Sequence, residues 1–232
     1  MMTKSNDGYF VAGVCVLAFI LAQTFQELAY RFSIPASHGP VDDLRAYLLK
    51  VDQARAAMVG GTILLLLVPY IVIAFRYIKT SPVTAVLGLI FGVAFVGFEI
   101  TQRSIDFFVI GDQWAHQFQN ASGIEREIIL NRFALWNEMA VGWTFPLRLS
   151  ALLASCCFLA ATLTDSGKGV WHLLAPVAFA LNALRLLGRL LSTFAGQTWL
   201  DGFNGRFYFP TVFVINSLLA LWFFHHARRE GP

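Results

Sequence analysis

Apolar residues fill six long runs, near 9–30, 57–78, 82–108, 133–163, 170–194 and 207–224, and polar residues gather between them. A helix rises about 1.5 Å per residue, so roughly 20 residues cross a hydrocarbon layer of about 30 Å. Each run approaches or exceeds that length, and the pattern predicts six transmembrane helices in a single domain over 1–232. The first run is too long for a signal-peptide core and no small-x-small cleavage pattern follows it, so it is expected to stay as the first span. The turn at Lys79, Thr80, Ser81 and Pro82 makes the second and third spans an antiparallel hairpin. The fourth run exceeds one bilayer thickness, so its start is expected to stand clear of the membrane. Longer outer loops are expected over 31–56, 109–132 and 195–206.

Composition removes the soluble alternative. With 57% hydrophobic and 13% charged residues, and a mean hydropathy of +0.62, the chain needs lipid as its solvent. The fold class is therefore all-α, a polytopic transmembrane helical bundle. A net charge of +3 reads as membrane anchoring charge, and no nucleic-acid partner is expected. Lys4, Arg76, Lys79, Lys168, Arg228 and Arg229 fall on one side of a six-span chain, in short segments. Basic residues of the longer connections are offset by Asp42, Asp43, Asp52, Asp112, Glu125, Glu127 and Asp201. Both termini are thus expected in the cytoplasm, and the location expected is a bacterial inner membrane.

Charge within the spans carries the candidate chemistry. Glu27, Glu99, Asp106 and Glu138 lie there, as do Arg103, Arg148, Arg185 and Arg189. A charge at the bilayer centre costs about 3 kcal/mol on insertion scales, so it is kept when paired or when facing water. Glu99, Arg103 and Asp106 share a helical face with Gln102 beside them, a ladder that neutralises itself. Asn182, Arg185 and Arg189 form a stripe with no acid on their own helix, so they are expected to meet Glu99, Asp106, Glu138 or Glu27 across the bundle, or an anionic ligand. By depth, these groups gather in the half of the membrane away from the cytoplasm. The expectation is an outward-facing polar cavity roofed around Trp114, His116, Trp199 and Phe203, with Glu99, Glu138 and Asp106 as candidate catalytic carboxylates. Arg185, Arg189, Arg103, Asn182, Asn216 and Gln102 are the candidate ligand contacts.

Other motifs narrow the field. Cys15, Cys156 and Cys157 sit in apolar runs without CxxC spacing, and His38 and His116 lack HxxxH or HExxH spacing, so no metal is expected. No lysine falls in the predicted spans for a retinal Schiff base and no histidine pair is set at mid-bilayer for haem, so no cofactor is expected. His225 and His226 look like interfacial anchors. Gly88 and Gly92 form a GxxxG face for close helix contact.

Glu27-Leu-Ala-Tyr-Arg31, the long loop after it and the Leu218-Leu-Ala-Leu-Trp222 ending resemble an uncharacterised group of bacterial six-helix membrane proteins, a domain of unknown function. Phe207-Tyr-Phe-Pro-Thr-Val-Phe-Val-Ile-Asn216, with Glu138 followed by Pro146-Leu147, is similar to the emopamil-binding-protein type of sterol isomerase. That likeness implies intramembrane carboxylates moving a proton across a double bond. The histidine that family carries ahead of its first helical glutamate is replaced here by Phe95-Val-Gly-Phe98 before Glu99.

The leading expectation is a protein that binds or acts on an amphiphilic or lipid-like small molecule, by acid/base chemistry if it is an enzyme. One alternative is a non-catalytic accessory or scaffold subunit with a membrane-protein partner or a second copy of itself. Another is a transporter, disfavoured because the cytoplasmic half supplies few polar residues to continue a path.

Overall fold

The computed structural model describes residues 5–34, 38–165 and 169–229, without side chains at 5, 6, 201–204 and 206. Among them the helices are α1 (Ser5–Phe32), α2 (Pro40–Ala46), α3 (Lys50–Leu65), α4 (Leu67–Tyr77), α5 (Pro82–Ser104), α6 (Ala115–Asn120), α7 (Gly123–Thr162), α8 (Val170–Phe194) and α9 (Trp199–Arg229). A π-helical stretch, π1 (Ile105–Trp114), joins α5 to α6. Six helical stretches are long and apolar enough to cross a membrane. Phe10, Leu21, Phe75, Val83 and Leu184 are exposed on the outside, as suits lipid and not water. The chain is an integral, multi-pass membrane protein.

Proline chemistry explains the breaks. Pro69 has no N–H to donate and its ring crowds the carbonyl four residues back. The second span accordingly bends at Leu66, whose N–H turns to the Ile63 carbonyl at 3.1 Å, dividing it into α3 and α4. Pro82 and Pro40 instead open their helices, at the first turn where no N–H is missed.

The spans close into a ring: α1 packs on α9, α9 on α8, α8 on α7, α7 on α5, α5 on α3 and α4, and these on α1. Six antiparallel spans bring the beginning and end of the chain to one side, where Tyr9 of α1 meets Trp222 and His226 of α9. This is called the terminal side here, and the opposite one the loop side. Lys4 and Lys168 lie outside the described residues. A terminal-side core centred on Phe158, Phe179, Trp222 and Phe223 fills that half of the ring. On the loop side Leu44, Ile110, Phe118, Ile129 and Phe133 form a separate cluster.

The outer connections differ from expectation. Helix persists through most of 31–56, 109–132 and 195–206: α3 begins at Lys50, π1 and α6 run to Asn120, α7 starts at Gly123 and α9 at Trp199. Hydropathy marks where lipid ends, whereas a helix continues into water wherever its residues favour it, as Glu125, Arg126, Glu127 and Ala134 do in α7. The expected roof also differs. Trp114 packs against the loop-side cluster, His116 and Trp199 are exposed, and the Phe203 side chain lies outside the described residues.

Candidate functional site

At the centre of the ring is a cavity of about 250 Å³ whose wall draws on all six spans. Along α7 it extends from Thr144 to Phe158, a rise of roughly 20 Å. Its two ends differ in character. Toward the terminal side it stops on Tyr70, Ile73, Phe158, Phe179 and Leu219; toward the loop side it is bordered by Gln26, Glu99, Gln102, Arg103, Arg148 and Arg189.

Helical spacing of three and four sets Asn182, Arg185 and Arg189 on one face of α8. The Arg185 Nε and Nη2 donate to Asn182 Oδ1 at 3.2 and 2.9 Å. Asn182 Nδ2 donates to the Ser155 hydroxyl at 2.8 Å, and that hydroxyl donates to the Ala151 carbonyl at 2.8 Å. Arg185 is thereby fixed in direction by a neutral chain running back into α7. From α7, Arg148 Nη1 donates to the Thr193 hydroxyl at 2.6 Å and to the Arg189 carbonyl at 3.4 Å. The Tyr208 ring lies 4.8 Å from the Arg189 guanidinium and 5.6 Å from that of Arg185, a cation–π arrangement.

Among the described residues, none of these three arginines pairs with a carboxylate. The acids expected to meet them are engaged or displaced. Glu99 Oε1 accepts from Arg103 Nε and Nη2, both at 2.9 Å, so α5 neutralises itself as its spacing implied. Glu27 pairs with Arg31 on its own helix at 2.5 Å. Asp106 lies one turn beyond Arg103, past the cavity rim, 3.9 Å from Arg103 Nη1. Glu138 is exposed on the outside of α7, because at 100° per residue it sits about 130° around the helix from the lining stripe of Thr144, Leu147, Arg148 and Ala151.

Of the nine candidate residues, Glu99, Gln102, Arg103, Asn182, Arg185, Arg189 and Asn216 line the cavity, while Asp106 and Glu138 do not. Asn216 turns its amide to the Val212 carbonyl at 2.8 Å. Comparison with family models, curated proteins and solved structures finds no match.

Sequence reasoning passed over Tyr208, Gln23 and Gln26, which also line the wall. The glutamines carried a signal, as a polar pair three apart in an otherwise apolar run; Tyr208 carried none, since its place under two guanidiniums is set by how α9 packs on α8. Also overlooked was a polar cluster on the terminal side. Arg76 donates to Asp165 Oδ2 at 3.0 Å and to the Tyr9 hydroxyl at 2.9 Å. The Tyr77 hydroxyl donates to the same Asp165 oxygen at 3.3 Å. His226, expected to be an interfacial anchor, is instead buried at 4% exposure, between the rings of Tyr9 and Trp222.

Proposed function

We propose that this membrane protein binds an amphiphile with an anionic head, holding the head against Arg148, Arg185 and Arg189 and directing its apolar part toward Phe158 and Phe179. The observation that carries this reading is the convergence of three guanidiniums on one intramembrane cavity with no carboxylate paired to them among the described residues. Hydroxyl, amide and carbonyl acceptors satisfy N–H groups but cancel no charge, and uncompensated charge in a membrane is costly. An anion cancels it, and the planar arginine fork suits phosphate or carboxylate.

The amphipathic cavity suits such a guest in the leaflet on the loop side, the side expected from the distribution of basic residues to be extracytoplasmic. Its volume is below the roughly 300–1,000 Å³ of drug-sized sites. The guest therefore inserts its head and only the first part of its chain. Gln26 Oε1 is buried at the wall without a hydrogen-bond partner, which favours a head that also carries a hydroxyl or amine donor. Because Glu99 is tied to Arg103, binding is proposed and not turnover. The packed terminal half favours a closed chamber over a conduit.

The test is lipid extraction and mass spectrometry on protein purified from native membranes in mild detergent. An acidic amphiphile should co-purify near one per chain, and Arg185→Gln with Arg189→Gln should remove most of it while helical content holds. Glu138→Gln, outside the cavity, should leave it in place. Equal amounts in the arginine variant and the native chain would overturn the proposal.

A further inference from the structure

We infer that Asp165, His172 and His226 form a binding site for one divalent transition-metal ion, on the terminal side and separate from the central cavity. Asp165 lies in the connection from α7 to α8, His172 in the first turn of α8 and His226 in the last turn of α9. One ligand atom from each lies within 4.8 Å of the others.

Three details fit a metal better than simple packing. Zinc binds imidazole nitrogen and carboxylate oxygen at about 2.0–2.2 Å, so two ligands of a tetrahedral ion are about 3.3 Å apart. Asp165 Oδ2 and His172 Nδ1 stand 3.5 Å apart. That His172 nitrogen is buried and makes no hydrogen bond, although it faces a carboxylate. On the third ligand, His226 Nδ1 bonds to the Trp222 carbonyl at 2.9 Å. Such a bond places the ring proton on Nδ1 and leaves the Nε2 lone pair for a metal, the usual way an outer partner orients a ligating histidine. Asp165 is itself oriented by Arg76 and Tyr77.

Two imidazoles and one carboxylate form a donor set for zinc and its first-row neighbours, and three protein ligands leave a position for water. The ligand atoms lie within 4.8 Å of one another, so closing the remaining edges to about 3.3 Å takes a movement of about 1.5 Å at most. The Arg76 charge opposes a second cation beside Asp165 and makes the site weaker than a bare set of these ligands. It also supplies a test whose sign is distinctive.

The experiment uses the full chain in detergent, without a histidine tag, and Zn²⁺ alone, titrated in competition with a chromophoric chelator. The expected result is one ion per chain and a rise in the thermal midpoint on adding zinc. His172→Ala and His226→Ala should each weaken binding at least tenfold. Arg76→Gln, which can keep a hydrogen bond to Asp165 but removes the charge, should strengthen it. His172→Ala gives the cleaner test, since its Nδ1 has no hydrogen bond to lose. Binding well below one ion per chain, or binding unchanged in both histidine variants, would overturn the inference.

Discussion

Arg148 on α7 and Thr193 on α8 are joined by a 2.6 Å hydrogen bond between guanidinium and hydroxyl. It is a charged donor meeting a neutral acceptor. Arg185 repeats the pattern with the Asn182 amide, so the ring holds its arginines in place by groups that leave their charge intact. Architectural ion pairs look different here: Arg103 with Glu99 and Arg55 with Asp52 each have a carboxylate within 3 Å.

This difference predicts opposite signs in two preparations. In protein stripped of lipid, Arg185→Gln should raise the thermal midpoint by a few degrees, since about 1 kcal/mol moves a chain of this size by roughly 2–4 °C. In protein that keeps its native lipid, the same change should lower the midpoint by removing a ligand contact. A decrease of equal size in both preparations would make Arg185 a structural residue.

Asp52 and Arg55 form the most deeply buried ion pair among the described residues, at 2.7 Å and with both side chains nearly inaccessible. The guanidinium also lies 4.7 Å from the Tyr30 ring. Removing one partner of such a pair leaves a buried charge and costs about 3–5 kcal/mol. Asp52→Ala and Arg55→Ala should therefore each destabilise strongly, while the double variant recovers part of the loss. A double-mutant cycle with no coupling would show that the pair acts only through packing.

Gly88 and Gly92 of α5 each lie against an aromatic ring. A Cβ at Gly88 would stand 2.8 Å from Phe158, and one at Gly92 2.7 Å from Tyr70. These two rings stack on each other at 5.6 Å and form the apolar end of the cavity. Gly92→Ala should cost about 1–3 kcal/mol as an overpacked contact and should reduce bound amphiphile by pressing Tyr70 toward the guest. Gly97→Ala, with nothing within 4 Å of the new carbon, should change neither. Denaturant melts with lipid analysis on the three proteins check both effects.

Much of this was legible in the order of the residues. Apolar run length located the spans because lipid imposes one length scale on every crossing. Spacing of three and four placed Glu99, Gln102 and Arg103 on one face of α5, and Asn182, Arg185 and Arg189 on one face of α8. On α7 the same logic had little to work with. Glu138 and Arg148 are ten residues apart, about 80° around a helix, and nothing local shows that Arg148 turns inward and Glu138 outward. Asp165 and His172 stand seven residues apart across a break between two helices, and His226 comes from α9, more than fifty residues further on. Only the packing of α8 on α9 brings them together.

Tyr47, in the connection before α3, offers a test of the loop-side cluster through pH. It packs edge-on against Phe133. Burial first, then the carboxylates of Asp106 and Asp52, raise its phenol above the ordinary value of 10.0. In the unfolded chain that proton leaves near pH 10, while the folded chain retains it. The contribution to stability is therefore complete below pH 10 and declines as pH rises beyond it. At pH 11 the loss from this one group should be on the order of 1 kcal/mol. Melting at pH 9 and pH 11 should show a steeper alkaline loss for the native chain than for Tyr47→Phe, which has no proton to release. Equal slopes would mean that the phenol already reaches water and that α2 does not seal this side of the ring.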